Sequence, residues 1–141
     1  MIVLEHEQIT GVKGIGIDIT PIPKIARIIN RCDYLQHRPK SDRDILNSLF
    51  TANEIDYCQS ASNPHQFYAL CFATKEAVGK ALGTGLAGID WNEIEANITH
   101  DKLTIHLHGK ARIQAKKRGI QNWFATWWHW DNHIFVHVLA H

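Results

Sequence analysis

The sequence is poor in several residue types whose absence excludes whole classes of protein. Its 141 residues include only three cysteines, Cys32, Cys58 and Cys71, with no CxxC spacing. An odd number of cysteines without that spacing argues against a secreted disulfide scaffold and a structural zinc site. No apolar run reaches the roughly 18–20 residues that a membrane-spanning helix needs. The opening residues MIVLEHEQ lack the basic and apolar segments of a signal peptide. We therefore expect a cytoplasmic protein with no membrane partner.

An excess of charge of one sign is also missing. Fifteen lysines and arginines face fourteen aspartates and glutamates, which leaves a net charge of +1 with neutral histidines. Sequence-independent nucleic-acid binders are usually far more basic, so we expect no nucleic-acid partner. Hydrophobic residues make up 45% and charged residues 21%, as in ordinary globular proteins. The length suits one domain spanning residues 1–141.

The hydrophobic pattern predicts an α+β fold in which an antiparallel sheet packs with a long central helix. In a first strand over 12–19, Ile15, Ile17 and Ile19 share one face at period two, with glycines on the other face. The longest helical pattern runs from His65 to Leu82. The remaining predicted elements are a helix beginning near Pro21, a short helix over 45–50, a helix after the capping box Thr51–Glu54, strands over 91–98 and 103–108, a helix over 109–118, and two strands over 123–140 joined at Asp131-Asn132.

The first candidate for chemistry is Asp18, which ends the first predicted strand and points away from its isoleucines. Strand ends are rigid and open to solvent, so a carboxylate there favours a metal or phosphate site. The alternative is that Asp18 caps the helix that begins near Pro21.

The second candidate lies on the long helix, where Glu76 and Lys80 are four residues apart and share one face. Small residues on that stripe, Gly79 and Gly83, allow a ligand or another backbone to approach. The alternative is a solvated ion pair of a few tenths of a kcal/mol. The following Gly83-Thr84-Gly85 can present amides to a phosphate, although a lone G-x-G is more often a helix C-cap.

The third candidate is a row of cations, Lys24, Arg27 and Arg31, whose spacing places them on one helix face. A local excess of positive charge continues beyond them in Arg38, Lys40 and Arg43. This patch predicts either a docking surface for an acidic partner or a solvated helix face. His129, between two tryptophans and just before a turn, is a candidate substrate contact or a packed core histidine.

Five segments, in this order and at this spacing, resemble the holo-acyl-carrier-protein synthases, which are short 4′-phosphopantetheinyl transferases. They are Gly14-Ile-Gly-Ile-Asp-Ile19, Phe50-Thr-Ala-Asn-Glu54, Phe72-Ala-Thr-Lys-Glu-Ala77, Lys80-Ala-Leu-Gly-Thr-Gly85 and Trp91-Asn-Glu-Ile-Glu95. The resemblance covers about Gly14 to Leu139. One such motif alone would mean little, but five in order are specific.

The resemblance implies transfer of phosphopantetheine from coenzyme A to a serine of an acyl carrier protein, with release of adenosine 3′,5′-bisphosphate. It implies a homotrimer with coenzyme A sites between protomers, and it implies Mg²⁺ as the cofactor. By resemblance, Asp18 and Glu76 bind Mg²⁺, and Lys80 adds positive charge at the reacting phosphate. Glu76 would take the serine proton either directly or through a metal-bound water. The coenzyme A contacts would be Lys75, Lys80, Gly83, Thr84, Gly85 and His129, and the carrier surface would be Lys24, Arg27 and Arg31.

The sequence departs from the family pattern at several positions. Cys71 replaces an arginine, Lys24 replaces another, and Trp128 stands at a serine position. Lysine keeps the charge but loses the planar fork of arginine. Two alternatives to the enzyme therefore stay open. One is a degenerate homologue that binds coenzyme A or a carrier protein without turnover, and the other is a general phosphate-binding α+β module.

Overall fold

The computed structural model of the chain describes residues 11–34, 41–100 and 102–141. The elements follow one another as β1 (Gly14–Pro21), α1 (Ile22–Tyr34), α2 (Ser41–Leu49), α3 (Ala52–Ser60), α4 (Pro64–Ala81), a 3₁₀ turn (Trp91–Glu93), β2 (Ile94–Thr99), β3 (Lys102–Leu107), α5 (Gly109–Lys117), β4 (Trp123–Trp130) and β5 (His133–Ala140). The predicted α+β class with a long central helix is confirmed. Within the described ranges, no helix is both long enough and apolar enough to span a bilayer.

The strands form two antiparallel sheets. A three-stranded sheet has the order β1-β5-β4, and β2 pairs with β3 in a separate hairpin. In the larger sheet Asp18 stands beside Val136, which in turn stands beside Trp127. The turn between β4 and β5 lies at Asp131 and Asn132 as predicted, and both residues have positive φ, of 50° and 56°. Two such residues match the twist of a tight hairpin, for which Asn and Asp are well suited.

The first strand is unusual because its glycine face, not its isoleucine face, packs on the protein. Ile15, Ile17 and Ile19 are 58%, 54% and 54% exposed. Gly14 and Gly16 lie against α4, and a Cβ on Gly16 would overlap the carbonyl oxygen of Ala77. The absence of two side chains therefore lets the backbones of β1 and α4 approach closely enough to hold Asp18 beside the helix.

The long helix α4 is the centre of the core. It begins with Pro64 in its first turn, where proline is tolerated, and Gly83 with a φ of +77° follows its end. Its buried residues are Tyr68, Ala69, Leu70, Cys71, Phe72, Ala73, Thr74, Lys75, Ala77, Val78, Gly79 and Ala81. A helix buried on most of its circumference is rigid. Its few solvent-facing side chains are therefore held in fixed positions.

One predicted element differs in type from the element in the structure. The prediction of a strand from Trp91 is wrong, because residues Trp91–Glu93 form a 3₁₀ turn and β2 begins at Ile94. The side chain of Glu93 accepts a hydrogen bond from the Asp90 amide at 3.3 Å, which closes the turn. The predicted capping box on α3 is confirmed by hydrogen bonds from the Thr51 amide to Glu54 and from the Glu54 amide to Thr51.

Candidate functional site

Asp18 is held at both carboxylate oxygens. The Thr20 hydroxyl, two residues further along β1, donates to Oδ2 at 2.6 Å. The Lys80 ammonium reaches from α4 and donates to Oδ1 at 3.0 Å. The Asp18 side chain is only 13% exposed, so its position depends on both elements. This arrangement favours a site over the alternative that Asp18 merely caps α1.

The ammonium of Lys80 forms its ion pair with Asp18 on β1 and not with Glu76 on its own helix. Its Nζ also donates to the carbonyl oxygen of Ile17 at 2.8 Å, and its side chain remains half exposed. The solvated Glu76–Lys80 pair considered from the sequence is therefore not the ion pair that Lys80 makes. A lysine tied to a carboxylate and a carbonyl at a strand end keeps one side of its ammonium open to solvent and ligands.

Glu76 lies one helical turn before Lys80 and interacts electrostatically with Asp18 and Lys80. Burial raises the pKa of its carboxyl, and the negative charge of Asp18 raises this pKa further. Lys80 and Lys24 partly offset both effects. The raised pKa therefore reflects burial first and the neighbouring carboxylate second.

Two carboxylates whose charges interact fit a divalent cation. Mg²⁺ is usually bound by one or two carboxylates, with water and phosphate oxygens as its other ligands. Over residues 11–34, 41–100 and 102–141, no cluster of three or more His, Cys, Asp or Glu side chains is arranged to hold a metal. Asp18 and Glu76, whose negative charges interact, are the two carboxylates that would hold such an ion.

The loop after α4 packs closely over the helix. Gly83 and Gly85 have φ values of +77° and +59°, which glycine adopts without strain. A Cβ on Gly79 would lie 2.9 Å from the carbonyl carbon of Gly85. Arg118, which follows α5, places Nη1 2.6 Å from where a Cβ of Gly83 would be. Our sequence analysis missed this arginine, although the basic run Lys116-Lys117-Arg118 at a helix end was a usable signal.

Comparison with known proteins decides the family. Residues 14–129 match the model of the 4′-phosphopantetheinyl transferase superfamily. The chain belongs to this superfamily. It is 34% identical over 131 residues to the holo-[acyl-carrier-protein] synthase of Geotalea daltonii, covering 90% of this chain and 95% of that one. It is 39% identical over 108 residues to the synthase of Koribacter versatilis, covering 75% and 79%. The resemblance predicted from the motifs is confirmed.

Solved structures of synthases share the fold. The holo-[acyl-carrier-protein] synthase of Neisseria meningitidis superposes with a TM-score of 0.73 and 24% identity, covering 93% of this chain and 99% of that one. The Helicobacter pylori synthase, solved in complex with coenzyme A, gives a TM-score of 0.71 at 23% identity, covering 90% and 99%. These likenesses support the transferase fold for the described residues.

Lys75 does not fit the phosphate contact that the transferase resemblance implied, and this expectation is corrected. Its side chain is fully buried, and its ammonium pairs with Glu54 at 2.6 Å. It also donates to the carbonyl oxygen of Ile94. Glu54 accepts a further hydrogen bond from the Ala96 amide at 3.0 Å. Lys75 thus joins α3, α4 and β2, because a buried ammonium requires a buried counter-charge.

The cations of α1 differ in their surroundings. Lys24, Arg27 and Arg31 are all exposed. Lys24 Nζ, however, lies 5.3 Å from the centroid of the Phe72 ring, and Phe72 is one turn before Glu76 on α4. Lys24 therefore lies against α4 near Glu76, whereas Arg27 and Arg31 continue along α1. Arg38 and Lys40 lie outside the described residues, as does the side chain of Arg43.

His129 does not join Asp18 within one chain. It is exposed near the end of β4, opposite Ile134, which pairs with Thr20 of β1. Two strand spacings, about 10 Å, therefore separate its backbone from β1. The contact of His129 with coenzyme A therefore stays a prediction. The proposed contacts of Gly83, Thr84 and Gly85 with coenzyme A stay predictions.

Proposed function

We propose that this chain transfers the 4′-phosphopantetheine group of coenzyme A to a serine of an acyl carrier protein. The observation that carries the proposal is the grouping of Asp18, Glu76 and Lys80 where β1 meets α4. Two carboxylates and a half-exposed ammonium at the end of a rigid strand match the needs of a phosphate-transfer site. The matching synthases from Geotalea and Koribacter support the same activity.

In the proposed reaction, the serine oxygen attacks the phosphorus atom that bears pantetheine. The new bond is Ser O–P, and the bond to the second phosphate of coenzyme A breaks, which releases adenosine 3′,5′-bisphosphate with the bonding electron pair. Glu76 takes the serine proton. Asp18 and Glu76 would hold Mg²⁺, which supplies positive charge against the phosphates.

Lys80 has two proposed roles at this site. Its ammonium fixes Asp18 through the 3.0 Å hydrogen bond, and its open side supplies a second positive charge for the transferring phosphate. Charge that is already oriented before the reaction stabilises the transition state without further reorganisation. Lys80 therefore belongs with Glu76 among the residues that carry the chemistry.

We also propose that the active form is a homotrimer built on the outer face of the larger sheet. Paired rows on this face carry Ile15, Leu139 and Phe124, and then Ile19, Phe135 and Trp128. Phe124 and Trp128 are 44% and 50% exposed, in addition to the exposed isoleucines of β1. So much exposed apolar surface on one face is typical of an interface.

The test combines an apo carrier protein, coenzyme A and Mg²⁺ with the purified protein and measures intact mass. The expected result is a carrier heavier by one phosphopantetheine, with no gain when Asp18→Ala replaces the wild type. Coenzyme A binding without a mass gain would favour the degenerate homologue and overturn the transferase. Light scattering on the same sample tests the trimer, and Ile17→Asp on the exposed face should dissociate it. An unaltered mass for Ile17→Asp would contradict an interface on this face.

A further inference from the structure

The cations on α1 form one row, but its members lie at different distances from the transfer site. Arg27 is about 4.5 Å and Arg31 about 10 Å further along the helix axis than Lys24, given the rise of an α-helix. Lys24 is in the first turn of α1, immediately after the strand that carries Asp18. It is therefore the member of the row nearest to the two carboxylates.

Lys24 is exposed, but its ammonium lies against an aromatic side chain of α4. Its ammonium lies 5.3 Å from the centroid of the nearly buried Phe72 ring. Phe72 in turn stacks on Trp91, with ring centroids 4.8 Å apart and planes at 24°. A cation held over an aromatic face keeps part of its charge available while the long side chain is restrained. Among the described residues, no such ring contact is found for Arg27 or Arg31.

The charge of Lys24 has no carboxylate of its own in the parts of the chain that are described. The ion pairs found there join Lys75 to Glu54, Lys80 to Asp18, His108 to Glu95 and Lys110 to Asp90. The positive charge of Lys24 interacts with the carboxylate of Glu76, so its ammonium lies on the Glu76 side of α4. A second ammonium turned toward this site, with an aromatic wall beneath it, suits an anionic substrate.

We propose that Lys24 is a coenzyme A-binding residue that contacts a phosphate of the substrate beside Phe72 and Trp91. Docking of the acidic carrier is then left to Arg27 and Arg31. The inference rests on the proposed transferase function, because it assumes that coenzyme A enters at Asp18 and Glu76. It differs from the prediction made from the sequence, where helical spacing assigned all three cations to the carrier surface.

The experiment measures coenzyme A binding by titration calorimetry with Mg²⁺ and without any carrier protein. The variants are Lys24→Gln, with Arg27→Gln and Arg31→Gln as matched controls of equal charge change. Loss of one hydrogen bond to a charged group should raise the Kd of Lys24→Gln for coenzyme A about ten- to a hundredfold. Both controls should bind coenzyme A as the wild type does. Lys24→Arg should recover part of the affinity, since it keeps the charge.

Steady-state kinetics complete the test. The KM for coenzyme A should rise for Lys24→Gln, and the KM for the carrier should rise for Arg27→Gln and Arg31→Gln. A normal Kd for coenzyme A in Lys24→Gln, with a raised KM for the carrier alone, would overturn the inference and return Lys24 to the docking surface. A wild-type protein that binds no coenzyme A would instead overturn the proposed function itself. Thermal melts of all variants establish that each is folded.

Discussion

Lys80 of α4 donates a hydrogen bond to Asp18 of β1 across 3.0 Å, although 62 residues separate them along the chain. Because Lys80 is half exposed, water screens this ion pair and it contributes little to stability, about 0–1 kcal/mol. The same lysine should matter greatly for phosphate transfer. We predict that Lys80→Ala lowers kcat by roughly 10²–10³, as the loss of one transition-state donor does, with a nearly unchanged Tm. Lys80→Arg should recover only part of the rate, because a planar fork does not replace a compact point charge.

The measurement for Lys80 is kcat at saturating coenzyme A and carrier, with a thermal melt on the same preparation. Lys110→Ala is a matched control, since it removes an exposed lysine whose ion pair with Asp90 lies outside the site. Near-normal turnover of Lys80→Ala would remove this residue from the chemistry.

The two carboxylates should be required together. We predict that Asp18→Ala and Glu76→Ala each abolish turnover while the far-ultraviolet circular dichroism spectrum stays that of the wild type. Each change removes one of two proposed ligands of a single Mg²⁺, and neither removes a buried apolar side chain. The decisive measurement is a titration of activity with Mg²⁺. Wild-type activity of either variant at low Mg²⁺ would contradict a shared site.

Glu76 should also show a conflict between stability and function. Burial and the charge of Asp18 raise the pKa of its carboxyl, so the folded state holds this proton more tightly than the unfolded state. Ionised Glu76 therefore destabilises the protein above its raised pKa, and the effect disappears as the pH falls below the ordinary pKa of glutamate. We predict that Glu76→Gln raises Tm at neutral pH, with a gain that shrinks on acidification, while turnover is lost. Melts across pH 4–8 without divalent ions test this, and a lower Tm at neutral pH would refute it.

The buried Lys75–Glu54 pair should be structural. Lys75→Met leaves the Glu54 carboxylate buried without its cation, which costs about 3–5 kcal/mol of unfolding free energy. The double variant Lys75→Met/Glu54→Leu should recover much of that loss, because no unpaired charge remains. Chemical denaturation of both variants gives the comparison. If Lys75→Met were as stable as the wild type but failed to bind coenzyme A, the original expectation that Lys75 contacts a phosphate would be supported.

The contact of β1 with α4 should tolerate no side chain at Gly16. A Cβ there overlaps the Ala77 carbonyl oxygen, so Gly16→Ala must push the strand from the helix and displace Asp18 from Lys80. We predict a lower Tm and a loss of turnover together. At Gly11 a Cβ meets nothing within 4 Å, and the strain of its φ of +77° is local, so Gly11→Ala is the control. Full activity of Gly16→Ala would show that this close approach is not required.

Much of the fold followed from the sequence because its signals are local. The alternation of Ile15, Ile17 and Ile19, the capping box at Thr51 and the long pattern of α4 each depend on neighbours within a few residues. The candidate site residues Asp18, Glu76 and Lys80 were accessible in the same way, since a strand end and a four-residue helical spacing are local properties. The family motifs then indicated the chemistry.

Tertiary structure alone decided which polar groups meet. Lys75 and Glu76 are adjacent on one helix, and a rotation of about 100° per residue sends one into the core and the other toward solvent. Their charges do not reveal which is which, because Lys75 can be buried only where Glu54 arrives from another helix. Likewise the helical spacing that groups Lys24 with Arg27 and Arg31 says nothing of Phe72, which α4 supplies. Local sequence determines the period of an element, whereas its partners depend on packing between segments far apart in the chain.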